Sequence, residues 1–435
     1  MNQRREIKDG ILYFDGCSTV DLAKQYGTPL YVMSEGDIED KMREIKTCFL
    51  DKYPNTRAAY ASKAFCTMAI YKICEKEGFC IDIVSGGELH TAIKAGFPAE
   101  RIEFNGNNKL PHEIEEALDY GIGRFIVDGL QEVALIEAIC KEKGKTANIL
   151  FRVTPGVAAS THDYITTGKK DSKFGIALDG DVFFPQVEAA IKAEHINFLG
   201  LHFHVGSQLF DNAPFLQALD IILDKVAEIK KRFDYDIMEL TLGGGKQIKD
   251  VTGVTVECMN LGGGFGATYI DEERKPYAYF LAPMMERIEA FFTELGVERP
   301  AVVIEPGRSI AAEAGLSLYT IGSIKDIRDI RKYVSVDGGM TDNIRPALYQ
   351  AEYEGLVANK ASEPKDDKVT ICGKCCESGD ILIKDCMITG TAKAGDLFAM
   401  FSTGAYGFSM ASNYNSNPIP AVVLVKDGKS ELIVK

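Results

Sequence analysis

Tyr60-Ala61-Ser62-Lys63-Ala64 closes a short apolar run that starts at Arg57, and a helical pattern begins just beyond it, near Thr67. A run this short and this apolar reads as a buried strand, so the stretch is a strand, a turn and the start of a helix, with a lysine at the strand's C-terminal end. An ammonium there loses water and is costly to bury. Two readings fit locally. The side chain can snorkel out along its own apolar stem. Or its amine is kept reactive, to form a Schiff base with a carbonyl cofactor.

The same unit recurs outward along the chain. After an opening run at Leu30–Met33, short apolar runs fall at Ala58–Ser62, Ile81–Ser85, Ile102–Asn105, Phe125–Asp128, Ile149–Pro155, Phe198–His204, Val256–Leu261 and Val302–Glu305. Amphipathic segments such as Glu113–Leu118 separate them. Continuous apolar strands alternating with helices make a parallel sheet covered by helices, and eight such units fit a (β/α)8 barrel; an open doubly wound sheet is the alternative. Beyond Gly315 the pattern changes to strand-like runs without long helices, at Leu316–Ile321, Tyr333–Val336, Lys368–Ile371, Asp396–Phe401 and Ala421–Val425. The expected organisation is therefore α/β: a barrel over residues 30–312, then an all-β domain over 313–435 joined by the N-terminal residues 1–29. Leu242-Gly243-Gly244-Gly245 is echoed by Leu261-Gly262-Gly263-Gly264, and the first run is read as opening an inserted hairpin over Lys246 to Val254.

The chain has 435 residues, 46% of them hydrophobic, which is enough for two full-sized domains. A net charge of −14 argues against nucleic acid or an anionic membrane as partner. No secretory signal pattern and no membrane-length apolar run appear, so the expected compartment is the cytoplasm. Its 11 scattered cysteines read as reduced thiols. Cys372, Cys375 and Cys376 lack the paired spacing and fourth ligand of a zinc site, so no metal is expected.

Strand C-terminal ends of a barrel face one common mouth, so the residues there are the candidates. They are Lys63, Asp82 with Ser85, Arg152, His202 with His204, Gly262–Gly266, and Glu305-Pro306-Gly307-Arg308. Three glycines let backbone amides approach an anion, and Ser207 offers a hydroxyl to it. The spacing is not that of a dinucleotide fingerprint, so a single phosphate fits better. The two histidines could hold a catalytic metal, but none of the other four histidines lies at an expected strand end. One histidine ring packed on a flat cofactor, with the other a hydrogen-bonded core residue, explains the pair without metal. Glu305 needs a partner: Arg308, or the protonated nitrogen of a pyridine ring, which becomes an electron sink. Together, Lys63, the glycine cradle and Glu305 point to pyridoxal phosphate. In the β domain, Arg345 and Tyr349 stand four apart on one face, and Arg345 suits a carboxylate. Cys376 beside Glu377 is either a buried structural thiol or a catalytic one. Tyr406 can donate its hydroxyl to the phosphate.

These motifs resemble the diaminopimelate decarboxylase family of pyridoxal-phosphate enzymes, relatives of ornithine decarboxylase and alanine racemase. The resemblance spans nearly the whole chain: YASKA at Tyr60–Ala64, HFHVGSQ at His202–Gln208, LGGGFG at Leu261–Gly266, EPGRSI at Glu305–Ile310, IRPALY at Ile344–Tyr349, CESGD at Cys376–Asp380 and AYGFSMASNYNS at Ala405–Ser416. It implies a pyridoxal-phosphate-binding barrel of the alanine racemase type followed by a β domain. It implies that Lys63 bonds the cofactor, His204 stacks on its ring and Glu305 faces its nitrogen, with Asp82 and Arg152 also at the cofactor. Ser207, Gly263, Gly264 and Gly307 would line the phosphate cup, closed by Tyr406. Arg308, Arg345 and Tyr349 would hold the substrate's distal carboxylate, with Tyr406 alongside. Cys376 and Glu377 would come from the partner subunit of a homodimer, with Cys376 the leading proton donor. The segment from Thr166 to Gly175 would form a loop over the mouth. The implied reaction takes meso-diaminopimelate to L-lysine and carbon dioxide, the last step of lysine biosynthesis. Two features depart from the family pattern: the extra Gly243–Gly245 run, and Asn417 where arginine is expected.

Three other readings differ in what they require. A decarboxylase of a basic amino acid or polyamine precursor would bring a distal ammonium against Arg308 and Arg345, which repel it. A racemase of the alanine type would face the ring nitrogen with arginine, where this chain has Glu305. A degenerate binding protein would have lost Lys63 or Cys376.

Overall fold

The structure is a computed structural model that describes residues 4–156, 173–204, 213–235, 239–240, 258–260, 265–270, 274–295 and 301–435. The repeated strand–helix unit closes into a barrel. Its strands are Thr56–Ala61, Cys80–Ile83, Ile102–Phe104, Arg124–Val127, Ala147–Thr154, Ile196–Phe203, Glu239–Leu240, Cys258–Asn260 and Ala301–Ile304. Each pairs in parallel with the next, and Ala301–Ile304 pairs back onto Thr56–Ala61 to close the ring. All eight expected runs are present. The two-residue Glu239–Leu240 is an addition, paired in parallel with the strands on both sides of it. Both glycine runs, and the hairpin expected over Lys246 to Val254, lie outside the described residues. Register places Ala61, Asp82, Glu103 and Arg124 side by side on four neighbouring strands, and Arg152 beside His202.

The helices start where side chains satisfy their free N–H groups. Thr67 accepts from Ile70 N–H ahead of Met68–Glu77, and Ser85 from Glu88 N–H ahead of Gly86–Ala95. Their apolar faces pack on the barrel.

Beyond the barrel, the β domain contains Gly315–Ile327, Arg331–Val336, Gly355–Val357, Asp367–Cys372, Ile381–Ile388, Leu397–Phe401, Ala421–Lys426 and Lys429–Val434. Its sheet also takes in Leu30–Ser34, which pairs antiparallel with Gly315–Ile327 and parallel with Ala421–Lys426. This corrects the placing of Leu30–Met33 as the run that opens the barrel. All five residues of that strand are buried. A continuous apolar run is the signature of any central strand buried on both faces, so the run itself does not say which sheet it joins. The chain reaches the barrel after it, through the helix Glu35–Ile45. The N-terminal strands Arg5–Lys8, Ile11–Phe14 and Cys17–Ser18 form a small sheet of their own. Leu12, Phe14 and Cys17 pack there with Leu316, Leu318, Val423 and Val425 of the β domain.

One apolar core crosses the junction, with Tyr31, Met33, Val422 and Leu424 in the same buried cluster as Ile83, Phe104 and Val302. At Gly404 the two parts touch backbone to backbone: a Cβ there would lie 2.1 Å from the Ala311 carbonyl oxygen. Among the described residues, no helix is long and apolar enough to cross a membrane.

Candidate active site

A cavity of about 470 Å³ is lined by Lys63, Arg152, His204, Glu305, Gly307 and Arg308 of the barrel and by Arg345, Tyr349 and Tyr406 of the β domain. That volume suits a small-molecule cofactor with its substrate. Nine of the residues singled out in the sequence therefore meet in one place.

Lys63 lies just past its strand, in the single 3-10 turn Ser62–Ala64. Both flanks of the turn are pinned. Ala61 N–H donates to the Pro306 carbonyl at 3.1 Å, and the Ala64 carbonyl accepts from Tyr406 N–H at 2.8 Å. Between buried Ser62 and Ala64, the lysine side chain is the exposed one, and it lines the cavity. The segment after Glu305 presses on this strand: a Cβ on Gly307 would lie 2.9 Å from Ala61 Cβ and from the Ala61 carbonyl oxygen. Only glycine permits that approach. Tyr406 holds a left-handed backbone, φ +61°, which is uncommon without glycine. Its N–H bond to Ala64 helps offset that cost, and its ring lies 4.6 Å from the Arg308 guanidinium.

His202 and His204 occupy one strand but do different work. His202 is fully buried, and its Nε2 lies 2.9 Å from Glu305 Oε1. It is the hydrogen-bonded core histidine of the pair. Of the two partners weighed for Glu305, Arg308 was the structural one; the side-chain bond seen runs to His202, 103 positions earlier in the chain. His204 lines the cavity, and burial, with Lys63 and Arg152 nearby, lowers its pKa well below the ordinary value. Both effects favour its uncharged form. Arg152 is buried, donates to Asn105 Oδ1 at 3.1 Å and stands 4.4 Å over the Phe174 ring. Asp82 does not line the cavity. It is buried, its Oδ1 has no hydrogen-bond partner, and burial together with Glu305 pushes its pKa well up.

The two other arginines share a partner that the sequence did not single out. Arg308 Nη1 donates to Tyr269 Oη at 2.9 Å, and Arg345 Nη1 donates to the same oxygen at 2.7 Å. Arg345 also donates to Tyr353 Oη at 2.8 Å. The short helix Arg345–Tyr349 puts Arg345 and Tyr349 on the cavity together. Neither Tyr269 nor Tyr353 sits in a spacing that marks it, so no sequence signal pointed to them.

Among the described residues, the lining carries Lys63, Arg152, Arg308 and Arg345 against one carboxylate, Glu305. In a chain of net charge −14 this is a local inversion of sign, and it favours anionic ligands. The residues fit pyridoxal phosphate: an amine for its aldehyde, a buried carboxylate for its ring nitrogen, an aromatic ring, and cations for its phosphate.

Cys376 and Glu377 do not line this cavity. Cys376 is exposed, and its backbone N–H donates to Asn415 Oδ1 at 2.8 Å. Asn417 donates to the Tyr414 carbonyl and approaches Cys375 Sγ at 3.8 Å, so the position where arginine was expected braces the same loop. Ser207, Gly263, Gly264 and the Thr166–Gly168 part of the expected loop lie outside the described residues. Phe174, in the described end of that loop, lines the cavity.

The family model for the pyridoxal-dependent decarboxylase, pyridoxal binding domain, matches residues 35–252 and 246–312. The two matched pieces overlap between the two glycine runs. Diaminopimelate decarboxylase of Bacillus subtilis is 45% identical over 432 residues, covering 99% of this chain and 94% of that protein. The structure of diaminopimelate decarboxylase from M. jannaschii in co-complex with L-lysine superposes with a TM-score of 0.86 at 35% identity, covering 100% of this chain and 95% of that one. A lysine/ornithine decarboxylase from Vibrio vulnificus complexed with putrescine shares the fold, at a TM-score of 0.74 and 21% identity over 94% of this chain and 97% of that one. With relatives this similar along its whole length, the chain belongs to the diaminopimelate decarboxylase family of pyridoxal-dependent decarboxylases.

Proposed function

We propose that this protein removes carbon dioxide from meso-2,6-diaminopimelate at its D-centre and releases L-lysine, with pyridoxal phosphate as cofactor. The observation that carries the substrate is the pair of buried arginines, Arg308 and Arg345, on the same cavity as Lys63 and Glu305. Two guanidiniums hold a distal carboxylate and repel a distal ammonium.

Bound pyridoxal phosphate supplies an electron sink for the pair left when the carbon–carboxylate bond breaks. Lys63 supplies the amine that bonds the cofactor. Glu305, kept in place by His202, would face the ring nitrogen and favour its protonated form. His204 would pack on the ring. Arg152, on the cavity, would serve the cofactor from the barrel, whereas buried Asp82 would act only from outside the lining. Gly307 and Tyr406, with Ser207, Gly263 and Gly264, receive the phosphate. Arg308, Arg345 and Tyr349 fix the distal carboxylate, which orients the reacting centre over Lys63. Cys376 and Glu377 are exposed and stand off their own chain's cavity, which supports a homodimer in which they complete the partner's site. There the Cys376 thiol returns a proton to the reacting carbon. The cytoplasm suits the ten cysteines with described side chains, all of which are free thiols.

The test is product formation by purified protein supplied with pyridoxal phosphate. Lysine and carbon dioxide form in equal amounts from meso-diaminopimelate, and Lys63→Ala forms neither. Carbon dioxide released mainly from ornithine, lysine or arginine would replace this substrate with a basic amino acid.

A further inference from the structure

Arg308 and Arg345 come from different domains, yet one carboxylate must meet both at a fixed spacing. Neighbouring guanidiniums repel, and each long side chain has many rotamers to choose from. Both are tied to one atom. Tyr269 Oη accepts from Arg308 Nη1 at 2.9 Å and from Arg345 Nη1 at 2.7 Å. The Tyr269 ring is itself braced, meeting the Tyr353 ring edge-on with centroids 5.2 Å apart, and Tyr353 Oη takes a second bond from Arg345 Nη1 at 2.8 Å. Tyr269 is not among the cavity-lining residues, whereas both arginines are.

We propose that Tyr269 is the positioning residue of the carboxylate clamp: from behind the cavity, its phenol oxygen joins the barrel arginine to the β-domain arginine and sets the spacing at which they receive a ligand carboxylate. The inference rests on the function proposed above, because it assigns the clamp to the carboxylate remote from the reacting carbon. The electrostatics agree with it. Burial pushes the Tyr269 pKa up, Arg308 and Arg345 pull it down, and the balance lies below the ordinary tyrosine value. Electron density on that oxygen thus offsets the repulsion between the two cations. A tyrosine acting only as packing would serve equally well without its hydroxyl, and this one would not.

The test compares two ligands of the holoenzyme. L-lysine keeps the carboxylate that the clamp receives, and cadaverine is the same diamine chain without it. Tyr269→Phe keeps the ring and its edge contact with Tyr353 and removes only the shared acceptor. Its lysine Kd is expected to rise roughly tenfold, with cadaverine within about twofold of wild type. Cofactor absorbance, measured on the same sample, is expected to match wild type. Tyr353→Phe, which removes an acceptor from Arg345 alone, is expected to give a smaller loss in the same direction. Lysine binding unchanged in Tyr269→Phe, or lysine and cadaverine weakened equally in either variant, overturns the assignment. Wild-type holoenzyme that forms no lysine from meso-diaminopimelate overturns the function instead, whatever the variants do.

Discussion

Glu305 is a buried carboxylate whose usefulness depends on where its second oxygen points and on whether it stays ionised. His202 governs both, because a donor at 2.9 Å fixes one oxygen and stabilises the charge. His202→Phe keeps an aromatic ring of similar shape and removes the donor. We expect kcat to fall on the order of tenfold or more with cofactor still bound, and the pH titration of the bound cofactor's absorbance to move. A variant with wild-type kcat and titration would show that Glu305 needs no help. Glu88 illustrates the opposite pressure. Burial pushes its carboxyl up to about 7, although Val84 N–H donates to it at 2.6 Å and Lys63 lies close enough to pull it down. The folded protein keeps a proton that the unfolded chain loses near the ordinary carboxylate value, so this group lowers stability as pH rises from about 4.5 to 7. Glu88→Gln still offers Val84 an acceptor and removes that slope. Between pH 4 and pH 8 it should gain about 1–3 kcal/mol on wild type in urea unfolding. An identical slope in both proteins would contradict the burial argument. At this scale, the residues legible in the sequence were those at strand ends, such as Lys63, His204 and Glu305, because strand direction alone sends them to the mouth. The bonds of His202 to Glu305 and of Tyr269 to two arginines join residues far apart in the chain, and no local pattern encodes such pairings.

Loops and junctions are held by a few buried groups. Asp380 is 3% exposed, and it accepts Met340 N–H at 2.6 Å and Cys375 N–H at 2.8 Å. It thereby staples the turn after Arg331–Val336 to the loop that carries Cys376. Asp380→Ala leaves two backbone donors without their partner and should cost about 2–4 kcal/mol, seen as a lower urea midpoint with unchanged slope. An unchanged midpoint would mean that the two loops hold their shape unaided. Gly404→Ala drives a methyl group to 2.1 Å from the Ala311 carbonyl, so a comparable loss is expected as backbone shifts to make room. At this scale the barrel was legible because its unit repeats, and the five expected β-domain strands were legible because their apolar runs are bounded by turns. Leu30–Ser34 was assigned to the wrong sheet because its apolar run fits a central strand of either. Ile381–Ile388 escaped notice because its burial is broken by exposed Lys384 and Asp385. Glu239–Leu240, only two residues long, gives no periodic signal.

At the scale of the whole molecule, a strongly acidic protein encloses a cavity of the opposite sign. The barrel contributes Arg152 and Arg308 to that cavity, and the β domain Arg345. Cys376 and Glu377 are exposed and lie off that cavity. If each subunit completes its partner's site, then Lys63→Ala and Cys376→Ala are each inactive alone. Mixed in equal amounts under conditions that exchange subunits, they should recover about a quarter of wild-type activity, because half the dimers carry one intact site of two. No recovery, despite demonstrated exchange, would mean that each chain is complete by itself. The central claim is that the clamp selects a substrate with a distal carboxylate. It is tested most directly by kcat/KM for meso-diaminopimelate and for D-lysine on one preparation of holoenzyme. The two compounds share both amines and the reacting D-centre, and differ by the carboxylate at the other end. We expect a preference for meso-diaminopimelate of roughly a thousandfold or more, since a ligand without the doubly held carboxylate forfeits its charge-assisted bonds to both arginines. A ratio near one, or a preference for D-lysine, would contradict the clamp and with it the assigned reaction.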